Sequence, residues 1–377
     1  MKRILVTIFC LSLFFGSFAQ ELANFMGSAP IVSPEITNSG ITFRISAPYA
    51  DNVKLNGSWG ASVEMTRSAN GVWSVTIPTP TPELYTYSFN VDGISYNDPA
   101  NVLMQRDGTR YLSVLLVPGE ATANYFEATQ RGNLSQVWYD SPTLGINRRL
   151  FVYTPYGYNK GTTKYPVLYL LHGAGGDEDA WSTMGRTCQI MDNLIEKGLA
   201  KPMLVVMPNG NPTQQAARTT MLPEVPIDRN APNYDPNGYV NSIVKDIVPY
   251  IESNYRVIAN PNSRALAGLS MGAGHTISCT NLYPGFFSYI CPLSNGIRVT
   301  DENKATYEEQ FKALKKAGYK LYWIGCGEDD FLIESARTLD ATLTSLGLKH
   351  TFYVNSGGHT WTNWRIYLNK FAPLLFK

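Results

Sequence analysis

Ser270 lies in a Gly-x-Ser-x-Gly pattern, where an apolar run gives way to a helix-like segment. The run at residues 264–268 reads as a strand, so the serine falls in the turn between that strand and the next helix. Such a turn is strained, and Gly268 and Gly272 avoid a Cβ where backbones approach closely. The strain would hold the hydroxyl out toward a substrate. Five-residue patterns also occur by chance, and a serine in an ordinary glycine-rich turn is the alternative.

A serine hydroxyl needs a base within hydrogen-bond reach before it can attack a carbonyl, and the usual base is imidazole. The chain has four histidines. His275 follows the serine on the same predicted helix, and His350 begins an apolar strand, so both have directions fixed by their elements. His359 lies in the glycine-rich stretch 356–361 after the last predicted strand. That loop can carry an imidazole to the edge of a sheet, and His359 is the predicted base.

Three adjacent carboxylates end the apolar strand at residues 321–326: Glu328, Asp329 and Asp330. They lie between the candidate nucleophile and the candidate base along the chain, and the order serine, acid, histidine is typical of one hydrolase fold. The Gly-x-x-Asp spacing from Gly327 favours Asp330 as the acid that orients the imidazole. Asp329 is the alternative, since either neighbouring carboxylate could instead cap the helix that follows.

Attack on an ester carbonyl creates an oxyanion, and each preorganised backbone N–H aimed at it contributes about 3–4 kcal/mol. Met271, the residue after the serine, is one predicted donor. The strand at residues 167–171 ends in a His-Gly-x-Gly-Gly turn, in which glycines let the backbone approach a substrate. Ala174 is the first choice for the second donor and Gly173 the second choice. His172 is expected to shape this turn rather than to transfer protons.

Strands and helices alternate through the second part of the chain. Apolar strands separated by segments with helical periodicity predict a mainly parallel sheet that is covered on both faces. The predicted strands are residues 134–139, 149–154, 167–171, 203–207, 264–268, 287–293, 321–326 and 351–354. The predicted helices are residues 188–198, 240–255, 271–282, 306–318, 332–346 and 364–375.

The first part of the chain, residues 27–118, shows short alternating strands instead. Turn residues such as Asp92-Gly93 separate them, which predicts a small antiparallel β-sandwich. Residues 119–131 have little periodicity and are predicted to be a linker, which leaves residues 132–377 for the α/β domain. Trp59 and Trp73 could stack on a sugar ring, although a tryptophan in so small a sandwich is more often part of the core.

Residues 208–237 form the longest stretch without a regular pattern and are rich in Pro, Asn, Gly and Asp. They follow a central strand, at the edge where open α/β sheets bind ligands. A substrate-binding loop is therefore predicted, with a solvated insertion as the alternative. Its candidate lining residues are Tyr234, Met221 and Leu222, together with Tyr239 just after the loop. Trp181 and Trp361, outside this loop, are the other predicted substrate contacts.

The ends and the composition bound the setting of the protein. Residues 1–19 have a basic start, an apolar stretch and small residues before Ala19, which predicts a cleaved signal and a secreted or periplasmic protein. The apolar part is too short for a membrane anchor.

Without Lys2 and Arg3, 29 of the 31 basic residues remain against 30 acidic ones, so no nucleic acid partner is expected. The four later cysteines lack zinc-site spacing, so a zinc site is not expected. A serine mechanism requires neither metal nor cofactor. Disulfides and free thiols both stay open.

Two family resemblances rest on these motifs. Residues 27–118 resemble the family 48 carbohydrate-binding modules and related immunoglobulin-like early-set domains. The resembling features are Ser46-Ala47-Pro48, Leu55-Asn56-Gly57-Ser58-Trp59, Gly71-Val72-Trp73, Tyr85-Thr86-Tyr87 and Asp92-Gly93 followed by Asp98-Pro99. Residues from about 130 to 377 resemble carbohydrate esterase family 1, the feruloyl and acetylxylan esterases. This second likeness rests on the Gly-Leu-Ser-Met-Gly elbow, the His-Gly-x-Gly-Gly turn with Gly-Asp-Glu-Asp-Ala-Trp, the acidic turn and the late Gly-Gly-His-Thr-Trp.

The resemblance implies an α/β hydrolase preceded by an immunoglobulin-like sandwich, and a serine esterase that removes ferulate from arabinoxylan through an acyl-enzyme. Its partner would be a feruloylated or acetylated plant polysaccharide or oligosaccharide. An acetylxylan esterase is the nearest alternative. A siderophore esterase joins similar domains but should carry basic residues, for which only Arg186, Arg218 and Arg229 are obvious. A catalytically inactive glycan-binding protein is the alternative from another class, and the intact set of serine, acid and histidine argues against it.

Overall fold

The computed structural model describes residues 31–217 and 234–377. The signal-like segment at residues 1–19 lies outside the described residues, and so do Met221, Leu222, Arg218 and Arg229. The first part of the chain contains β-strands and no α-helix among its described residues. Its strands are β1 (Glu35–Thr37), β2 (Gly40–Ser46), β3 (Val53–Gly57), β4 (Val63–Glu64), β5 (Thr66–Arg67), β6 (Val72–Ile77), β7 (Leu84–Val91), β8 (Ile94–Tyr96), β9 (Met104–Asp107) and β10 (Arg110–Leu116).

These strands form two antiparallel sheets with an apolar core, as the alternating pattern predicts. One sheet has the order β1-β2-β6-β5, and the other has the order β4-β3-β7-β10-β9 with β8 on β7. Phe43, Phe89 and Leu115 are fully buried in this core. Trp73 is 7% exposed and belongs to the same cluster, while Trp59 stacks on Phe43 at its edge. Both tryptophans therefore pack inside the sandwich.

An eight-stranded mixed sheet dominates the second part, and the predicted α/β fold is confirmed. Its order is β11-β12-β14-β13-β15-β16-β17-β18, and pairing is parallel from β14 onward. The first two strands pair antiparallel. The bounds are β11 (Asn133–Ser141), β12 (Ile146–Thr154), β13 (Val167–Leu171), β14 (Leu204–Pro208), β15 (Arg264–Leu269), β16 (Tyr289–Leu293), β17 (Leu321–Gly327) and β18 (Thr351–Asn355).

Helices cover both faces of this sheet, and the central strands are buried except at Arg264, the first residue of β15. They are α1 (Ala180–Thr183), α2 (Thr187–Glu196), α3 (Gly238–Ser242), α4 (Val248–Asn254), α5 (Met271–Leu282), α6 (Lys304–Ala317), α7 (Ile333–Ser345) and α8 (Trp361–Phe371). A π-helical segment at Ile243–Ile247 interrupts the single helix predicted over residues 240–255. Short 3-10 turns lie at Glu120–Thr122, Tyr158–Lys160, Pro261–Ser263 and Ala372–Leu374.

The two parts of the chain share one apolar cluster. Leu84, Val114 and Leu116 of the sandwich belong to the same buried cluster as Phe151 and Trp181 of the α/β part. The segment predicted as a linker joins this cluster as well, since Tyr125 is only 1% exposed. The segment is thus packed against both parts rather than spanning open solvent.

Two global features bear on the predicted setting. No helix within residues 31–217 and 234–377 is long and apolar enough to cross a membrane. The four cysteines of these ranges carry unpaired thiols, and three of them are buried.

Candidate active site

Ser270 occupies the turn between β15 and α5, and its backbone has a strained conformation that the surrounding structure must hold in place. Its φ is 52° and its ψ is −113°, a conformation that is costly for a residue with a side chain. Its N–H donates to the Leu293 carbonyl at 2.9 Å, which ties the turn to β16. A Cβ on Gly272 would lie 2.6 Å from the His172 carbonyl oxygen, and one on Gly268 would lie 2.4 Å from that of Gly272. Glycine is thus required at both positions.

His359 and Asp330 form a direct pair at the ends of β18 and β17. The histidine Nδ1 lies 3.0 Å from both carboxylate oxygens, and the Asp330 side chain is fully buried. Burial alone would raise the pKa of Asp330, but hydrogen bonds from His359, the Leu332 N–H and Ser294 outweigh it and lower the pKa. Asp329 is exposed and accepts from the Gly357 N–H at 3.3 Å. The structure thus places Asp330 against the imidazole, and Asp329 away from it.

The other three histidines are engaged elsewhere. His350 contacts Asp340 at 2.8 Å on the far side of α7. His275 lies on α5 against the Tyr239 ring, and burial lowers its pKa to about 4. His172 is buried beneath the turn that follows β13. Among the four, His359 is the histidine that lines a cavity together with Ser270.

That cavity has a volume of about 270 Å³ and opens at the carboxyl edge of the sheet. Ser270, His359 and the turn at residues 173–176 line it together, and a Cβ on Gly173 would lie 3.2 Å from the Ser270 Cβ. Its remaining walls are Asp107, Ala180, Met184, Leu269, Thr360, Trp361 and Trp364. Trp361 is the first residue of α8 and lies two residues after His359. The position of the loop therefore determines where both the imidazole and this indole lie.

His172 orients the turn that carries the predicted oxyanion donors. The Gly210 N–H donates to its Nε2 at 2.7 Å, so Nδ1 carries the proton and donates to the Gly173 carbonyl at 2.7 Å. Burial lowers the pKa of His172, which keeps the ring neutral. Because C=O and N–H of a trans peptide point in opposite directions, the Ala174 N–H points away from His172. It has no backbone partner among the described residues, as suits a donor for a substrate oxygen.

The turn is followed by three carboxylates, of which two are buried, and Glu178 is the more deeply buried of these, with 1% of its surface exposed. Its oxygens accept from Arg149 Nε at 2.7 Å, from Asn209 Nδ2 at 3.0 Å and from the Ala217 N–H at 2.7 Å. Burial outweighs these contacts and raises the pKa of Glu178. Glu178 thereby joins the turn to β12 and to the segment that follows β14.

The predicted substrate contacts divide into lining and buried residues. Trp361 lines the cavity. Trp181 is 1% exposed, donates from its Nε1 to the Leu171 carbonyl, and supports Trp361 edge-on from below. Tyr239 is 5% exposed in the core of the other sheet face, and Tyr234 is exposed and does not line the cavity. Burial therefore corrects the prediction of substrate contact for Trp181 and Tyr239, which are packing residues.

Two residues at the site escaped the sequence interpretation. Asp107 reaches the cavity from β9 of the sandwich, far from the α/β part in sequence. Phe331 is 75% exposed and lies 4.5 Å from the His359 ring, centroid to centroid. Its position next to Asp330 is a signal that could have identified it, whereas nothing local marks Asp107. Among the described residues, no group of three or more His, Cys, Asp or Glu is placed to hold a metal ion.

Comparison with known families identifies the second part of the chain. An esterase family model ("Putative esterase") matches residues 141–374, more than half of the chain. The chain belongs to the esterase family. Carbohydrate-binding module 48, the isoamylase N-terminal domain, matches residues 26–105 of this esterase. Both resemblances predicted from the motifs are thereby confirmed.

Individual relatives refine the comparison. The esterase is 31% identical over 356 residues to an endo-1,4-beta-xylanase/feruloyl esterase of Xylanibacter ruminicola, covering 91% of this chain and 46% of that protein. The chain thus spans about half the length of that relative. A ferulic acid esterase structure is 27% identical with a TM-score of 0.54, covering 65% of this chain and 98% of that one. The esterase is a carboxylic ester hydrolase similar to feruloyl esterases.

One further structure matches both parts of the esterase. The enterobactin esterase FES from Shigella flexneri is 16% identical with a TM-score of 0.60, covering 89% of this chain and 93% of that one. At this identity the likeness concerns the fold alone. The arrangement of a sandwich before the hydrolase is therefore shared with an esterase whose name gives a different substrate.

Proposed function

We propose that this esterase removes ferulate or a related hydroxycinnamoyl group from plant polysaccharide, arabinoxylan in the first place, through an acyl-enzyme. The observation that carries the proposal is the cavity in which Ser270, the His359–Asp330 pair and the turn at residues 173–176 meet. The feruloyl esterase similarity of the chain supports the choice of acyl group.

Each group has a role in the proposed reaction. Ser270 Oγ attacks the ester carbonyl carbon, and His359 Nε2 accepts the serine proton while Asp330 holds the Nδ1–H. The Ala174 and Met271 N–H groups stabilise the oxyanion of the tetrahedral intermediate, with Gly173 as the alternative to Ala174. Collapse of the intermediate breaks the ester bond, and the sugar hydroxyl leaves with the proton from His359. In the second half, His359 accepts a proton from water, which attacks the acyl carbon. The new tetrahedral intermediate collapses, and Ser270 Oγ leaves with the proton from His359.

The size and walls of the cavity favour an aromatic acyl group over acetyl. Its volume is about 270 Å³, which is more than an acetyl group needs. Trp361 and Trp364 give it two aromatic walls. An acetylxylan esterase would use the same serine and histidine, so acyl preference is a separate question from mechanism.

The siderophore esterase alternative has fold support but poor charge complementarity. The likeness to the enterobactin esterase extends over both parts of the chain. Of the described residues that line the cavity, however, none is Lys or Arg, and Asp107 is a carboxylate. Asp107 is itself paired with Arg110 at 2.6 Å, so this wall gives an anionic catecholate no cationic partner, whereas a neutral sugar ester needs none. We therefore favour a neutral, glycan-borne ester.

Two parts of the proposal concern the setting. The match of residues 26–105 to a carbohydrate-binding module supports a polysaccharide or oligosaccharide partner. The signal-like residues 1–19 support a secreted or periplasmic protein. Cleavage near Ala19 is checked by N-terminal sequencing of the protein exported by its host.

The proposal is tested by product release from methyl ferulate, acetylated xylan and a nitrophenyl acetate. We expect hydrolysis of all activated esters with preference for ferulate, and a loss on the order of 10⁶ in kcat for Ser270→Ala. Ser278→Ala, on the exposed side of the same helix, is the matched control and should keep the wild-type rate. Wild-type turnover by Ser270→Ala would refute the mechanism, and preference for acetylated xylan would refute the acyl group.

A further inference from the structure

Arg106 of β9 crosses from the sandwich to the α/β part and is 5% exposed. Its Nη1 and Nη2 donate to the two oxygens of Asp177 at 2.8 and 2.6 Å, a bidentate pair. Its Nε donates to Asp179 at 3.1 Å, and Nη1 also donates to the Gly108 carbonyl at 2.6 Å. The guanidinium is therefore held by its own hairpin and by the other domain at once.

The residues it binds directly follow the turn that carries the oxyanion donors. Asp177 is the residue after Gly176, whose carbonyl accepts from Asn211 Nδ2 at 2.9 Å. Asp177 also accepts from the Asp179 N–H at 3.1 Å, and its carbonyl accepts from the Ala180 N–H at 3.1 Å. The position of the Asp177 side chain thus fixes where the turn ends and where α1 begins.

The buried Asp177 carboxylate needs the positive charge of Arg106. The Asp177 side chain is 6% exposed, so its carboxylate has little access to water and depends on Arg106 for compensation. Burial of Arg106 opposes its charge, but the bonds to Asp177 and Asp179 outweigh burial and raise the pKa of Arg106. Loss of the guanidinium would leave a buried anion, and the turn would shift to bring Asp177 to solvent.

We propose that Arg106 is a positioning residue for the oxyanion turn, through which the sandwich domain supplies part of the catalytic geometry. The inference rests on the proposed roles of Ser270 and Ala174. Arg106 contacts no reacting atom; it acts through Asp177 on the peptide groups at residues 173–176. Because every ester passes through the same oxyanion, the effect of Arg106 is on kcat and is common to all acyl groups.

The test compares Arg106→Gln with wild type on methyl ferulate and a nitrophenyl acetate. Rates are divided by the concentration of active sites, titrated with an organophosphonate that labels the nucleophile. We expect kcat to fall about 30-fold on both esters with KM within twofold, less than the 10²–10³ lost when an oxyanion donor is removed outright. The affinity for a trifluoromethyl ketone, which forms an oxyanion when the serine adds to it, should fall by a similar factor.

A second interdomain pair provides the matched control. Arg365 Nη2 donates to Glu83 at 2.9 Å, and both side chains are largely buried, but neither residue follows the turn. Glu83→Gln removes the carboxylate charge and should leave kcat within twofold of wild type. An equal loss in Glu83→Gln and Arg106→Gln would overturn the proposal, because the effect would then report general domain docking.

Arg106→Lys keeps the charge but cannot make both Asp177 bonds together with the Asp179 bond, so kcat should be intermediate, about fivefold below wild type. If Arg106→Gln does not fold, this variant decides alone: wild-type kcat in folded Arg106→Lys overturns the proposal. Raised KM with unchanged kcat in either variant also overturns it, since that result indicates substrate contact. Absence of any wild-type ester hydrolysis would instead refute the proposed function.

Discussion

Two runs of three carboxylates approach the cavity, and they are stabilised in different ways. In the run at residues 177–179, Asp177 and Glu178 are buried and pair with arginines. In the run at residues 328–330 only Asp330 is buried, and its partners are a histidine and neutral donors. An arginine keeps its charge at all ordinary pH values, whereas a histidine can gain and lose a proton. The first run is therefore suited to fixing structure and the second to supporting proton transfer.

The largest expected effect breaks the second run. Asp330→Asn removes the negative charge that holds the Nδ1–H tautomer and stabilises the imidazolium, so kcat should fall on the order of 10³–10⁴. Asp329→Asn is the matched control, since that exposed neighbour does not contact the imidazole. The measurement is kcat at pH 7 on methyl ferulate for both variants. A larger loss in Asp329→Asn would reverse the assignment of the acid.

The next effect breaks the first run and should appear in stability. Arg149→Met keeps the aliphatic stem but leaves Glu178 buried without its cation, and we expect a loss of about 3 kcal/mol in the free energy of unfolding at pH 8. Arg337→Met, in an exposed pair with Glu334, should change it by less than about 0.5 kcal/mol. Denaturant titration of both variants makes the comparison, and equal losses would contradict it.

The smallest effect sharpens the contrast through pH. Burial raises the folded pKa of Glu178 above its ordinary value of 4.5, so wild type should lose stability relative to Glu178→Gln as pH rises through the raised value. The folded pKa of Asp330 is below its ordinary 3.8, so its stabilising contribution is present above 3.8 and is lost as pH falls further. Unfolding free energies of wild type, Glu178→Gln and Asp330→Asn are measured from pH 2 to pH 8. The difference due to Glu178 should develop above pH 4.5, and the difference due to Asp330 should disappear below pH 3.8. Parallel pH profiles would contradict the contrast.

The sheet, its helices and the central groups of the site were accessible from sequence because each follows an apolar strand. Ser270, Asp330 and His359 follow β15, β17 and β18, whose parallel arrangement is predicted by their periodicity, and parallel strands present their carboxyl ends at one edge. Gly327 marks the acidic turn, and the Gly-x-x-Asp spacing selects the residue that the structure places against the imidazole. The local sequence pattern was sufficient to predict these three residues, because residues that follow parallel strands come together at the same edge of the sheet.

The remaining parts depend on contacts that no local pattern encodes. No sequence motif marks the hairpin of β9 and β10, which brings Arg106 to residues about 70 positions later. Trp181 and Tyr239 were predicted to bind substrate. Aromatic side chains near a loop can line a binding pocket, but they can equally pack in a core. Only the packed structure distinguishes the two, and both side chains are buried.

The apolar cluster shared by the sandwich and the hydrolase has a consequence for modularity. Leu84, Val114 and Leu116 of the sandwich are part of the same interior as Phe151 and Trp181 of the hydrolase. Cutting the chain between them would expose apolar surface on both fragments and favour their aggregation. A gene fusion or domain exchange that keeps this interior buried must therefore transfer both domains together.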